Sequence, residues 1–337
     1  MIEGRPRQVQ LSRRALLHAI SGSLVAPLAG VDAALWADTV RVDPALVEHF
    51  AVLRSVLVES DNRVGAAAIL PTARQQLGHI AHFRRVAQGG LHDAFLRTEA
   101  RWAEFAGWLS DDLGDRAAGD WWLAQALTMA QEARDAEFTA YVFARMAQRA
   151  AEATDRDRVL GLARAADRNG GHRAPVRAFA ALQRAHGHAI AGNTSAFQAA
   201  VDDAHHLVAG TPADDGDLGS FCTTPYVWAQ EGDGWRRLGR PHAAVKCFDR
   251  ALDAWPESYR RERGLYLART AAAYAAACEP QRAATTALAA LELARLTRSA
   301  RTRREVAAVG GHLTTMFPTE PGVADLHAAL TASPHTT

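Results

Sequence analysis

The chain has 337 residues, a formal net charge of +1 and a hydrophobic fraction of 48%. This composition is typical of a folded soluble protein and excludes disorder over the whole length. Because Lys/Arg and Asp/Glu are balanced, 38 against 37, the charge argues against a protein that binds nucleic acid directly, which usually carries a clustered basic excess.

The N-terminal segment, residues 1–42, is predicted to be a tail or linker. Residues 12–17 resemble a twin-arginine export signal, but the run that follows is only moderately apolar and lacks a small-x-small cleavage site. The same run is too interrupted by polar residues to span a membrane. Three widely spaced cysteines form no CxxC pair, which predicts reduced thiols. We therefore expect a cytoplasmic protein without membrane association.

Beyond residue 42 the sequence predicts helices throughout. Apolar residues recur at helical spacing, and short Gly, Asp, Asn or Pro breaks divide the chain into segments of about four or five turns. The sequence shows no alternating run of β-branched and aromatic residues bounded by hairpin turns. Residues 43–100 are predicted to hold N-terminal capping helices, at 47–58 and 66–87.

Residues 226–256 carry the clearest repeat unit. Small and aromatic residues recur there at the spacing of the tetratricopeptide (TPR) consensus, which this unit resembles almost position for position. These residues are Trp228, Gly232, Trp235, Gly239, Ala244, Phe248, Ala251 and Pro256. Small residues let the two helices of a repeat approach closely, and aromatic residues fill the gap to the next repeat.

Similar units flank this one. The pattern recurs 39 positions downstream, with Cys278 in place of the turn glycine, and upstream around residues 107–127, with degenerate copies at 141–166 and 179–204. The polar segment 210–224 is interpreted as a loop inserted between repeats. This recurrence predicts TPR-like repeats over residues 101–295, C-terminal capping helices over 296–332 and a disordered tail at 333–337. The predicted fold is therefore all-α, a right-handed superhelical solenoid of TPR-like helical hairpins with capping helices.

Beyond the repeats, the chain resembles the sensor region of actinobacterial helix-turn-helix/TPR transcriptional regulators. Residues 11–17 look like the linker that follows the DNA-binding domain of those proteins, and the similarity continues in short motifs at 105–109, 112–115, 238–241, 258–260 and 296–301. Those regulators begin with a helix-turn-helix of roughly sixty residues, for which this sequence has no room before Leu11. The resemblance implies a sensor or interaction half without its DNA reader.

Motifs for catalysis, cofactors or metals are missing from the sequence. It contains no HExxH, GxGxxG, P-loop or GxSxG pattern. His79 and His82 share a helix face, but two histidines without a third ligand make a weak metal site. Residues 214–217 resemble a calcium loop superficially and lack the acidic residue at the twelfth position. We therefore predict a protein that is not an enzyme, with no cofactor and no metal.

The candidate binding residues follow from the family resemblance, which implies that positions two, five, nine, twelve and thirteen of each first helix face a concave groove. The predicted ligand- or partner-binding residues are Glu104, Trp108, Asp111, Tyr141, Gln148, His186, Tyr226, Asp233, Arg236 and Arg237. The aromatic residues would anchor apolar side chains, and Arg236 and Arg237 would bind a carboxylate or phosphate. In the fifth repeat these positions are mostly alanines. The alternative for each aromatic residue is packing between repeats.

The predicted function is a regulatory or protein-interaction protein that binds a peptide, small effector or partner protein in this groove, linked to transcriptional regulation. A separate DNA-binding protein is an expected partner, and the sequence leaves a homodimer open. The alternatives are a constitutive assembly scaffold, an enzyme with an unrecognised site in the groove, and an exported adaptor.

Overall fold

The computed structural model describes residues 42–170, 173–209 and 218–332. Over these ranges the chain forms fourteen α-helices and no strand, which confirms the all-α prediction for this part. The segments singled out at 12–17 and 214–217 and the tail from residue 333 lie outside the described residues. The helices belong to one compact unit, Pro44–Thr337.

The helices are α1 (Ala45–Val64), α2 (Ala66–Val86), α3 (Gly90–Asp112), α4 (Arg116–Glu132), α5 (Ala136–Glu152), α6 (Arg156–Arg168), α7 (Ala174–Ile190), α8 (Thr194–Ala209), α9 (Thr224–Arg237), α10 (Pro241–Ala254), α11 (Arg260–Ala276), α12 (Pro280–Thr297), α13 (Ala300–Met316) and α14 (Pro321–Thr331). None of the helices in the described ranges combines the length and apolar character that a membrane crossing requires.

From α3 to α12 the helices pack as five consecutive pairs: α3 with α4, α5 with α6, α7 with α8, α9 with α10, and α11 with α12. Three residues link the two helices of every pair, and links this short make the helices fold back on each other. The middle residue of each link has a positive φ between 57° and 89°. These residues are Gly114, Thr154, Gly192, Gly239 and Cys278.

The left-handed residue ends the first helix of a pair by satisfying its last carbonyl groups. In the α9–α10 link, the Gly239 N–H donates to the Arg236 carbonyl at 3.1 Å and the Arg240 N–H donates to the Trp235 carbonyl at 2.9 Å. Glycine suits this position because it has no Cβ to clash in the left-handed conformation. The same backbone geometry also occurs at Thr154 and Cys278, although these residues carry a Cβ.

Replacing Cys278 with glycine is expected to raise the free energy of unfolding by about 1 kcal/mol. Cys278 is exposed and has a φ of 59°, a conformation that costs a non-glycine residue roughly this amount. Urea unfolding of the variant and the wild type measures the difference. Gly239 has a φ of +68°, and a Cβ there would meet open space. The opposite exchange, Gly239→Ala, should therefore lower the free energy of unfolding by a similar amount. A Cys278→Gly variant less stable than wild type would contradict this explanation.

Small residues stand where helices approach most closely. A Cβ on Gly232 would lie 3.1 Å from the Phe248 ring, on the second helix of the same pair. A Cβ on Gly234 would lie 2.6 Å from Cζ of Phe197, which belongs to the preceding pair, and closer still to Cε2 of the same ring. Phe197 also packs edge-on against Trp235, with ring centroids 4.9 Å apart. Alternate glycines of α9 thus allow contacts within a pair and between pairs.

The first helices also meet the last ones. Helix α1 contacts α11 and α12 as well as α2 and α3, and α13 contacts α3. Gly65, which follows α1, has a φ of +87°, and a Cβ there would lie 2.7 Å from the Thr297 carbonyl carbon. Arg261 donates to Asn62 Oδ1 at 2.7 Å. We call this the N–C interface; its residues are Asp61, Asn62, Gly65, Asp112 and Glu152 on one side, and Arg261, Thr297, Ser299 and Arg301 on the other.

Candidate functional site

The ten predicted binding residues lie on α3, α5, α7 and α9, the first helices of four pairs, and none of them is exposed. The structure arranges eight of them in two groups of polar residues, and Tyr141 and Tyr226 form hydrogen bonds to the first group. We call the two groups the Trp108 cluster and the Asp233 cluster. Both groups also include residues that the sequence did not single out, mainly arginines from α5, α11 and α13.

The Trp108 cluster draws on α1, α3, α5, α11 and α13. Its members are Asp61, Glu104, Trp108, Asp111, Asp112, Arg145, Gln148, Arg149, Glu152, Arg261 and Arg301. It therefore includes four of the predicted residues and most of the N–C interface.

Three guanidinium groups surround the indole ring of Trp108. The guanidinium carbons of Arg145, Arg261 and Arg301 lie 4.4, 4.8 and 5.4 Å from the ring centroid. These distances are within the range of cation–π attraction, which strengthens when the groups are desolvated. The indole Nε1 donates to Asp61 Oδ2 at 3.3 Å. Trp108 thus connects cations from three helices with a carboxylate from a fourth.

Glu104 holds Arg145 against this ring. Arg145 Nε donates to Glu104 Oε1 at 2.7 Å, and the Tyr141 hydroxyl donates to the same oxygen at 3.2 Å. Arg145 also donates to Gln148 Oε1 at 3.0 Å, and Gln148 Nε2 donates to the Tyr226 hydroxyl at 3.2 Å. Burial raises the pKa values of Tyr141 and Tyr226, so both hydroxyls stay protonated. Four of the predicted residues therefore belong to one hydrogen-bonded chain.

The pair formed by Asp61 and Arg261 is almost entirely buried, with side chains 1% and 4% exposed. Arg261 Nε lies 2.9 Å from Asp61 Oδ2 but lacks hydrogen-bond alignment, and Asp61 Oδ1 has no donor. Burial raises the pKa of Asp61 to about 6, although Arg261 opposes the shift. The pair is an ion pair that does not fully satisfy the hydrogen-bonding capacity of its two groups.

Three further carboxylates complete the Trp108 cluster. Asp111 pairs with Arg149, and Glu152 pairs with Arg301. Asp112 accepts from the Ser299 hydroxyl at 2.8 Å through Oδ1. Burial tends to raise the pKa of Glu152, but nearby arginines, Arg301 foremost, hold it below its usual range. Glu152 is therefore ionised at neutral pH.

The Asp111–Arg149 pair depends on a glycine in α4. A Cβ on Gly119 would lie 2.7 Å from Arg149 Nη1 and closer still to the Asp111 carboxylate. A glycine at this position therefore gives the pair room between α3, α4 and α5. Gly119 lies within the repeat unit that the sequence predicts around residues 107–127.

A small cavity lies within the Trp108 cluster. Its volume of about 20 Å³ is enough for about one water molecule. The lining residues are Glu104, Trp108, Asp111, Asp112, Leu123, Arg145, Gln148, Arg149, Glu152 and Arg301. The charged side chains among them are four carboxylates and three guanidinium groups.

The Asp233 cluster consists of His186, Gln230, Asp233, Arg236, Arg237, Tyr266 and Arg269. Asp233 is 1% exposed and accepts from Arg236 Nη2 at 2.7 Å and from Arg237 Nε at 3.1 Å. Arg269 Nη1 lies 3.8 Å away. Burial alone would raise the pKa of Asp233, but the arginines around it, Arg269 foremost, bring it well below its usual range. In this structure Arg236 and Arg237 bind the carboxylate of their own helix.

His186 is buried beside this carboxylate. Its Nε2 donates to Gln230 Oε1 at 2.9 Å, and Gln230 Nε2 donates to the Tyr266 hydroxyl at 3.3 Å. Nδ1 has no hydrogen-bond partner. Burial lowers the pKa of His186 to about 4, and the attraction of Asp233 offsets only part of that shift. The imidazole is therefore neutral at pH 7.

The variant His186→Gln is expected to reduce the loss of stability between pH 7 and pH 5. The folded pKa of about 4 lies below the ordinary 6.5, so the unfolded chain takes up the proton first. The stability contributed by the neutral ring is therefore lost as pH falls, by about 2 kcal/mol at pH 5. Urea midpoints at the two pH values measure this, with the exposed His312→Gln as control. Equal pH dependence in wild type and His186→Gln would contradict the expectation.

The sequence analysis did not identify the α1 carboxylate, Asp61, or the arginines of the two clusters, Arg145, Arg149, Arg261, Arg269 and Arg301. Arg145 follows Tyr141 by four residues, so the helical period could have placed both on one face. Arg261, Arg269 and Arg301 gave no such signal, because α11 was expected to present alanines and α13 was assigned as a cap. Asp61 likewise lies in a helix assigned as a cap.

Metal ligands do not converge in the described ranges, where no group of three or more His, Cys, Asp or Glu side chains is placed to hold an ion. His205 and Glu231 form a pair at 2.9 Å.

A comparison with models of known protein families and with curated proteins finds no match to this chain. Its function is therefore proposed from the geometry of the site.

Proposed function

We propose that this is a non-enzymatic regulatory protein of TPR-like repeats that binds a peptide, small effector or partner protein through the Trp108 cluster and the Asp233 cluster. The observation that carries the proposal is the buried ionic network around Trp108. Buried ion pairs seldom add net stability compared with apolar packing, and unsatisfied buried polar atoms are rare in folded proteins. A network with several such atoms is therefore better explained by binding than by stability.

The helix arrangement supports the repeat architecture in this proposal. Five pairs share one type of link, and their first helices contribute the polar residues of both clusters. Small residues such as Gly232 lie at close helix contacts, as the TPR consensus requires. In a superhelix of such pairs, the first helices would form a common inner face.

Binding on this face would require the N–C interface to open. The cavity of about 20 Å³ is far smaller than the 300–1,000 Å³ typical of ligand pockets. Helix α13 contributes Arg301 to the cavity lining, and its N-cap residue Ser299 donates to Asp112. Displacement of α13 would therefore widen the site. A ligand drives such a change only through a higher affinity for the open state. Ligand binding would thus be converted into a change of shape.

The resemblance to actinobacterial helix-turn-helix/TPR regulators supports a link to transcription. In this proposal the shape change reaches a DNA-binding protein that acts as partner in the cytoplasm. The balanced charge of the chain, 38 Lys/Arg against 37 Asp/Glu, supports an indirect role rather than direct contact with DNA.

Affinity purification from the native host tests the proposal. Tagged wild type, Trp108→Ala and the outer-surface control Trp121→Ala, whose side chain is 54% exposed, are compared by mass spectrometry of retained proteins and small molecules. We expect a species that wild type and Trp121→Ala retain and Trp108→Ala loses. Tyr226→Phe, which removes only a hydroxyl, is a milder second inner-face variant. Equal retention by all variants would reject binding through the inner face.

Small-angle scattering separates this function from a constitutive scaffold. Addition of a retained peptide or small effector, which contributes little scattering mass, should increase the radius of gyration of wild type if the N–C interface opens. An unchanged radius with this ligand bound would favour the scaffold.

An enzyme is the second candidate, because titratable groups cluster beside a cavity. The pKa of Asp61, near 6 through burial, would suit a group that exchanges protons at neutral pH. The cavity is too small for an organic substrate in the closed arrangement, which places this candidate second. Turnover in a substrate screen that disappears in Asp61→Asn would support it.

A further inference from the structure

The side chains that line the cavity in the Trp108 cluster include carboxylate oxygens that accept no hydrogen bond from the surrounding residues. Asp112 lines it, is 3% exposed, and has no hydrogen-bond donor for Oδ2. An unpartnered carboxylate oxygen in a buried site has lost its hydration without gaining a hydrogen bond in return. Four carboxylates line the cavity against three guanidinium groups. Asp112 Oδ2 therefore lacks a donor, and the surrounding carboxylates favour a donor that is cationic.

The chain itself shows which cation fits. Arg261 and Arg301 reach Trp108 from α11 and α13, and each pairs with a carboxylate from the N-terminal half, Asp61 or Glu152. A planar guanidinium can stack on an aromatic ring while its N–H groups bind carboxylate oxygens at its edge. The Trp108 cluster provides both kinds of contact.

The two arginines are not held equally. Arg261 is ion-paired to Asp61 and donates to Asn62, both on α1. Arg301 pairs with Glu152, which is 24% exposed, and lines the cavity beside Asp112. Arg301 is also on α13, whose displacement would open the N–C interface. Of the two, Arg301 is the side chain that a ligand would replace.

We infer that the inner face recognises a guanidinium group, the arginine side chain of a peptide ligand, which replaces Arg301 on Trp108 and Glu152 and supplies a donor to Asp112 Oδ2. Arg301 then acts as an internal competitor that keeps the site closed until such a ligand arrives. This inference rests on the proposed function and names the chemistry of its ligand.

Calorimetric titration with N-acetyl-argininamide tests the inference on the full chain. Arg301→Ala removes the competitor, so we expect it to bind the probe about tenfold or more tightly than wild type. The citrulline analogue keeps the shape but lacks the charge and should not bind. Adding Asp112→Asn to Arg301→Ala should weaken binding of the arginine probe. Arg304→Ala, an exposed change on the same helix, is the control and should behave as wild type.

Two measurements keep the test decisive if Arg301→Ala is unstable. The probe should raise the unfolding temperature of that variant by about 2 °C or more, with no rise from the citrulline analogue. Arg301→Lys keeps the charge but not the planar fork, and should show intermediate affinity. A folded variant that ignores the arginine probe, or binds citrulline equally well, overturns the inference. If wild type still retains a partner that Trp108→Ala loses, only the ligand class is wrong; if not, the proposed function fails as well.

Discussion

The variant Gly65→Ala is expected to lose about 3 kcal/mol or more of its free energy of unfolding. The new Cβ would lie 2.7 Å from the Thr297 carbonyl carbon and closer to its oxygen, so two backbone segments would have to separate. At a φ of +87° the alanine would also carry backbone strain of about 1–3 kcal/mol. Because Thr297 ends α12, the clash acts directly on the N–C interface. Urea unfolding followed by circular dichroism measures the loss.

A second variant, Gly192→Ala, distinguishes the effect of the steric clash at Gly65 from the effect of backbone strain. Gly192 has a φ of +72° and open space where a Cβ would stand, so Gly192→Ala should cost only about 1 kcal/mol. The difference between the two variants reports the tight packing of Gly65 on Thr297. Equal losses would mean that the N–C interface is not closely packed in solution.

The variant Arg261→Met is expected to lose about 3–5 kcal/mol, because it leaves the buried carboxylate of Asp61 without its cation. The loss should depend on pH. Burial already holds the folded pKa of Asp61 near 6, above the ordinary 3.8, and Arg261 opposes that rise. Without Arg261 the pKa should rise further. The stability that protonated Asp61 contributes is lost as pH rises through its folded pKa, so the deficit of the variant should be larger at pH 8 than at pH 5.

Unfolding midpoints at both pH values, with two reference variants, check this expectation. Arg260→Met changes an exposed arginine on the same helix and should stay within about 0.5 kcal/mol of wild type. The double variant Asp61→Leu/Arg261→Met removes both charges and should recover much of the loss. A deficit independent of pH would show that Asp61 is not the group left uncompensated.

Local sequence signals predicted the helical class and the positions of the first two helices. The segments predicted at 47–58 and 66–87 lie within α1 and near the bounds of α2, since apolar period and breakers act over a few residues. The turn positions of Gly114, Gly192 and Gly239 follow from the same local chemistry. Cys278 adopts the same turn, with a φ of 59°, although its side chain disfavours this conformation.

The helical period also brought together several candidate site residues. Glu104 and Trp108 share a helix face because they are four positions apart, and Tyr141 and Gln148 share one two turns apart. The structure connects these residues through Arg145.

The sequence by itself determined an all-helical chain with repeated turns and polar residues on its first helices. Only the tertiary structure decided what those polar residues face. Arg261 meets Asn62 across 199 positions, and Ser299 meets Asp112 across 187. Such contacts depend on the summed rotations of five helix pairs, and a small change in each rotation would separate the ends. No local pattern encodes that sum, so the N–C interface and the arginines around Trp108 could not be predicted from sequence.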